Sequence, residues 1–208
     1  MSGYKTVRKR AEDEYIVKKS RFIGYAAPVT TQQQALDFIA EISKKHWDAT
    51  HNVYAYILRE GGVKRYSDDG EPQGTAGIPT LDVLEKSGVT DCVVVVTRYF
   101  GGVMLGAGGL VRAYSSGAAD AVKAAGVEKH IPGALIALRC DYSRYGAIES
   151  LIAKSNAAIT ESKFTDEIRL SISCAKEDAD SIIKAIIERT DGRCKPELAG
   201  ECELVLPQ

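Results

Sequence analysis

Cysteine and histidine are scarce in this 208-residue sequence, and long apolar runs are missing. The five cysteines, Cys92, Cys140, Cys174, Cys194 and Cys202, form no C-x-x-C pair. None stands at zinc-ligand spacing from a histidine, which excludes the common structural zinc modules. An odd number of such thiols predicts reduced, mostly core cysteines in a cytoplasmic protein. Three histidines leave few candidates for a general base. The first residues have no apolar core of a secretory leader. The uncharged stretch Tyr99–Val111 is too short and too rich in glycine to span a bilayer, so no membrane association is expected. A net charge of -1 excludes the global basic field that would advertise nucleic acid. Low-complexity segments and short-period repeats are also absent.

What is present is ordinary globular composition, 45% hydrophobic and 26% charged, in a chain long enough for one large or two small domains. Charge is uneven locally. Lys5, Arg8, Lys9 and Arg10, then Lys18, Lys19 and Arg21, form a basic N-terminal arm interrupted by Glu12, Asp13 and Glu14. That arm reads as a solvated charged face or as a nucleic-acid contact.

Periodicity predicts strands within 14–29, broken near Lys19–Ser20, and a helix capped by Thr30 or Thr31 with Ala35, Phe38, Ile39 and Ile42 on its apolar face. A strand is predicted over His51–Leu58, a polar loop over 59–78, and a short helix from Pro79 through Lys86. The CVVVV run within Asp91–Tyr99 predicts a strand buried on both faces. A helix from Leu110 to Ala125 follows, ended by Gly126. Ile131–Pro132–Gly133 reads as a linker between domains spanning 1–131 and 132–208. Beyond it the order strand, helix, strand, strand, helix, strand is that of a ferredoxin-like domain. The fold class expected is α+β, in two domains.

Two stretches carry the candidate chemistry, YSDDGEPQGTAG (66–77) and RYFGGVMLGAGGLVRAY (98–114). The second follows a buried strand and opens a helix, where free backbone N–H groups can bind an anion. Gly101 and Gly106 have P-loop spacing, but Ala107 and Gly108 replace the Lys and Ser/Thr. Gly106-x-Gly108 is followed by Val111 where a dinucleotide fingerprint needs its last glycine. A looser phosphate site remains, with Arg98 and Arg112 as charge partners; equally, the glycines permit tight chain crossings and the arginines form ion pairs. Asp68, Asp69 and Glu71 could serve acid–base chemistry, hold a hard cation, form ordinary turns, or pair with Arg98 or Arg112 and lock the two loops together. There is no G-x-S-x-G; the nearest match, Ala113–Gly117, lacks the first glycine. His51 could act as a base, although a histidine opening a strand is usually structural. Tyr99 and Phe100, beside glycines, could contact a base or a protein.

These stretches, with His51-Asn-Val-Tyr-Ala-Tyr before them, resemble the signature of the Impact family in its bacterial YigZ type. The resemblance covers the N-terminal domain to about residue 130; the remainder resembles the small C-terminal domain that bacterial members append. It implies an N-terminal domain similar to a βαβ domain shared by a ribosomal protein and elongation factor G. It also implies a C-terminal domain similar to that factor's ferredoxin-like fifth domain. Eukaryotic members act in translational control by binding a large regulator of a starvation-responsive kinase. The function expected is therefore a cytoplasmic binding or regulatory protein connected with translation, engaging RNA, the ribosome or a translation-control protein. The alternative is an enzyme acting on a small phosphorylated or anionic substrate. The candidate ligand-binding residues are His51, Asp68, Asp69, Glu71, Arg98, Tyr99, Gly101, Gly102, Gly106, Gly108, Gly109 and Arg112. No catalytic role, metal or cofactor is assigned to them.

Overall fold

The structure is a computed structural model that describes residues 3–207. Internal contacts divide the chain into two compact units, Tyr4–Lys129 and His130–Leu206, the latter joined by Gly3. Together they form a two-domain α+β protein.

In the first unit the elements are β1 (Tyr4–Val7), β2 (Ala11–Val17), β3 (Ser20–Pro28), α1 (Gln32–Lys45), β4 (His51–Ile57), β5 (Lys64–Ser67), α2 (Gly77–Ser87), β6 (Cys92–Tyr99) and α3 (Ala107–Ala125). Five strands pair in the order β2-β3-β6-β4-β5, every pair antiparallel. The valines of β6 explain the layering. Cys92, Val94 and Val96 join one core with Leu84 of α2 and Leu110, Ala113 and Tyr114 of α3. Val93 and Val95 join the other, with Ala35, Phe38 and Ile42 of α1. Helices therefore cover both faces, and the central strand reads as a continuous β-branched run. Thr31 caps α1 in a reciprocal box with Gln34.

Three sequence expectations change here. The basic arm is partly built into the fold. Thr6 and Val7 of β1 are buried, Thr90 N–H donates to Lys5 O at 2.8 Å, and the Thr6 hydroxyl donates to Asp91 O at 3.1 Å. The predicted loop 59–78 contains β5, whose Lys64 and Ser67 stand opposite Ile57 and Tyr54. Its KRYS sequence carries no apolar period because it is an exposed edge strand. Helix α3 begins at Ala107, before the predicted Leu110.

The second unit continues β7 (Val127–Cys140) and adds α4 (Tyr142–Ile152), β8 (Ala157–Phe164), β9 (Ile168–Ala175), α5 (Ala179–Arg189) and β10 (Glu197–Pro207). Strand β7 is flanked by β10 on one side and β9 on the other, with β8 beyond β9, the neighbour relations of a βαββαβ sheet. Ile136, Leu138, Leu170 and Ile172 of the sheet pack with Ile148 and Ile152 of α4 and Ile182 and Ile186 of α5. Ile131–Pro132–Gly133, read as a linker, lies within β7. Gly133 is needed there for close packing, since a Cβ would stand 2.7 Å from Leu204 Cγ and 2.8 Å from Cys202 Sγ. Among the described residues no helix is long and apolar enough to cross a membrane.

Candidate functional site

Strands β4 and β6 place His51 directly opposite Arg98. The pleat sends both toward the α2/α3 face, in phase with Val53 and Val96. The acidic loop closes over them. Glu71 is 7% exposed and Arg98 6%. Arg98 Nη1 donates to Glu71 Oε1 at 2.6 Å, and Tyr114 Oη from α3 donates to the same oxygen at 2.8 Å. His51 Nε2 lies 3.8 Å from that oxygen. Two donors and a full positive charge neutralise a carboxylate that burial alone would penalise. Burial, and then the Glu71 charge, push the Tyr114 phenol far above its ordinary range, so it stays a donor. The Arg98 guanidinium lies between the rings of Phe22 and Phe100, 5.6 and 5.4 Å from their centroids. Its Nε is buried and has no hydrogen-bond partner among the described residues.

The two aspartates hold the loop's shape. Asp68 Oδ1 accepts from Ala76 and Gly77 N–H at 3.1 and 2.7 Å, and Oδ2 accepts from Gly74 N–H at 2.9 Å. It thereby caps α2, whose own N-cap, Ala76, has no side chain able to do so. Asp69, with φ at 45°, accepts from Asn52 N–H at 2.6 Å. Its carbonyl accepts from His51 Nδ1 at 2.7 Å. A carbonyl can only accept, so Nδ1 carries the proton and Nε2 is the atom turned toward Glu71. Among the described residues no three of His, Cys, Asp and Glu are grouped to hold a metal ion.

The glycine-rich loop leaves β6 and turns outward. Gly101 crosses the β2–β3 hairpin so closely that a Cβ would stand 2.0 Å from the carbonyl of Lys19. The loop then exposes Phe100, Val103 and Met104, the last by 83%. Gly102 and Gly106 take φ of 79° and 72° with open space around them. Gly106 is the N-cap of α3 without a side-chain cap bond; Gly108 and Gly109 form its first turn. Arg112 is exposed on α3 and has no ion-pair partner among the described residues.

The structure thus brings His51, Glu71 and Arg98 together, with Asp68 and Asp69 as supports. Arg112 does not lock the loops; Arg98 does. Tyr99 does not join the group, because the pleat turns it to the α1 face. There its hydroxyl donates to Asp48 Oδ1 at 3.1 Å and accepts from His46 Nδ1 at 2.8 Å, while Tyr25 Oη donates to His46 Nε2 at 2.6 Å. Tyr114 is the member that sequence reasoning missed as a site residue. Its signal is a phenol inside an otherwise apolar helix stripe, Leu110, Ala113, Ala118 and Ala121, where a buried hydroxyl needs a partner.

Two small α+β units, with a glycine-enabled loop pair closed by a buried ion pair, define the class of protein. The family model described as Impact N-terminal domain matches residues 18–122, and the domain of unknown function DUF1949 matches residues 138–193. The chain is 37% identical over 194 residues to IMPACT family member YvyE of Bacillus subtilis, covering 93% of this chain and 89% of that protein. It is 35% identical over 159 residues to IMPACT family member YigZ of Escherichia coli, covering 75% and 78%. Protein IMPACT of Bos taurus matches at 37% over 95 residues, only 43% of this chain and 29% of that protein. A crystal structure of a hypothetical protein superposes with a TM-score of 0.60 at 29% identity, over 94% of this chain and 97% of that one. The chain belongs to the IMPACT family.

Proposed function

We propose that this protein is a cytoplasmic, non-catalytic binding protein connected with translation, and that it engages RNA through the surface around the glycine-rich loop. One observation carries the reading. The groups an enzyme would need free are consumed: Asp68 by three amides, Asp69 by Asn52, and Glu71 by Arg98 and Tyr114. The loop beside them instead exposes Phe100, Val103 and Met104, with Arg112 on the adjoining helix. An exposed aromatic ring on a cationic surface suits stacking by an unpaired base. Translation enters through the family resemblance, whose eukaryotic members act in translational control. A ribosome or a translation-control protein remains a partner of the same class of activity, and the test below separates them from RNA.

Binding of the full chain to a labelled single-stranded oligoribonucleotide should weaken steeply between low and physiological salt. Phe100→Ala should weaken it further, since base stacking contributes about 1–3 kcal/mol. No binding at low salt, or binding indifferent to Phe100→Ala, would refute the RNA reading. Ribosome association that survives nuclease treatment would assign the surface to a protein partner.

One observation favours the enzyme alternative. His51 Nε2 faces Glu71 at 3.8 Å in a partly exposed position. Turnover of any phosphorylated or anionic metabolite that is lost in His51→Gln would establish it.

A further inference from the structure

A recess of about 190 Å³ lies between the β2–β3 hairpin and the start of α3. Its walls come from Tyr15 and Val17 of β2, Leu105 of the glycine-rich loop, and Gly109 and Ser116 of α3. Lys18 and Arg112 line it as well, and no carboxylate does. Both cations are exposed, and neither has an ion-pair partner among the described residues. Of the nearby acids, Glu14 holds Arg21 through both oxygens, at 2.6 and 2.8 Å, and Asp120, one turn beyond Ser116 on α3, stands outside the lining. Burial first, and then the Asp120 charge, raise the Tyr15 phenol. The Tyr15 hydroxyl donates to the Ala113 carbonyl, so it supplies the recess with a ring face and not a donor.

The hairpin turn adds a second argument. Lys18 and Lys19 take φ of 45° and 64°, closing the turn between the paired residues Val17 and Ser20. Left-handed backbone at both central positions is the geometry that Asn-Gly fills at lowest cost. Here two lysines occupy it, and one of them lines the recess. The volume is below the roughly 300 Å³ at which pockets begin to enclose a whole small ligand, so the recess accepts one group of a larger molecule.

We infer that this recess is an anion subsite that seats one phosphate of a larger ligand between Lys18 and Arg112, with its carbon skeleton against Val17 and Leu105. The inference rests on the preceding reading in taking that phosphate as part of an RNA backbone. The phosphate subsite itself would equally serve a small phosphorylated compound. It differs from a site at Arg98, whose charge is already opposed by Glu71.

The test uses the full chain and two probes. Titration with inorganic phosphate, followed by ¹⁵N-resolved NMR, should shift the amides of Gly109 and Arg112 along a saturating curve. Lys18→Asn with Arg112→Gln should abolish those shifts. Asparagine suits the left-handed position and both side chains are exposed, so this variant should fold, which its unfolding curve checks. The same variant should bind a single-stranded oligoribonucleotide at least about tenfold more weakly, with the log–log salt slope reduced by about 0.7 for the one phosphate no longer seated. RNA binding unchanged in the variant would overturn the subsite and leave the RNA reading standing. Phosphate shifts at Gly109 and Arg112 without any RNA binding would keep the subsite and overturn the RNA reading. Shifts scattered without saturation would overturn the subsite.

Discussion

Glu71 and Arg98 meet at 2.6 Å with side chains only 3% and 7% exposed, and the oxygen they share also accepts from Tyr114. The acidic loop is thereby fastened to the central strand and to α3 by one carboxylate. Breaking such a pair leaves a buried charge unopposed. Glu71→Ala and Arg98→Ala should each destabilise the first unit by about 3–5 kcal/mol. Their effects should not add, so the double variant should be less destabilised than the sum. Urea unfolding of the four proteins measures this, and a single-variant loss under about 1 kcal/mol would contradict the buried-pair account.

Glycines in the two regions should respond oppositely to alanine. A Cβ at Gly24 would stand 2.1 Å from Gly117 O, where β3 and α3 touch through backbone. Gly24→Ala should therefore force the helix off the sheet and give a protein that is insoluble or melts many degrees lower. Gly108 lies in the first turn of α3 with nothing within 4 Å and no positive φ. Gly108→Ala should stabilise the protein by about 0.4–1 kcal/mol, through lower entropy of the unfolded chain. Thermal unfolding decides both. A loss of stability in Gly108→Ala would mean that the first turn is packed more tightly than its surroundings indicate.

His46 should make stability depend on pH. It is held neutral between Tyr25 and Tyr99, and its pKa is lowered from 6.5, first by burial and then by the charges of Lys45 and Arg21. The unfolded chain therefore takes up a proton that the folded one resists. This contribution is complete above the unfolded value near 6.5 and is lost as pH falls through the lowered folded value. Denaturation midpoints at pH 8 and pH 5 should differ more in the natural protein than in His46→Gln. Equal differences would show that His46 is not the group responsible.

Much of the fold is legible because its signals are local. The CVVVV of β6 announces a strand covered on both faces, and the threonine pair Thr30–Thr31 ahead of an apolar helical stripe announces the start of α1, which the structure caps with Thr31. The site is less legible because its decisive bond joins residues 27 positions apart. Asp68, Asp69 and Glu71 look alike in a turn-rich stretch, and only the tertiary fold sends the first two to amides and the third into the core. The separation of Tyr99 from Arg98 follows from strand alternation, which places consecutive residues on opposite faces. Strand β5 gives no sequence signal, since an edge strand exposed at Lys64, Arg65 and Tyr66 needs no apolar face.

The cysteines should be chemically quiet in the folded protein. Burial pushes the Cys92 thiol up to about 12 and, with the nearby Cys194, pushes Cys140 up to about 11. Cys174 is raised by burial as well, and Cys194 is buried in the core of the second unit. Thiolate is the reactive form, so at pH 7 Cys92, Cys140 and Cys174 carry almost none of it, and all four buried sulfurs are shielded from reagent. Cys202 is the partly exposed one, and burial raises it too. A disulfide reagent added to native protein should thus modify Cys202 first and slowly, with the other four reacting only on unfolding. Mass mapping after a short exposure would identify the site. Early modification of Cys92 would show that the first unit opens around β6 far more readily than its buried valines and the Glu71–Arg98 pair allow.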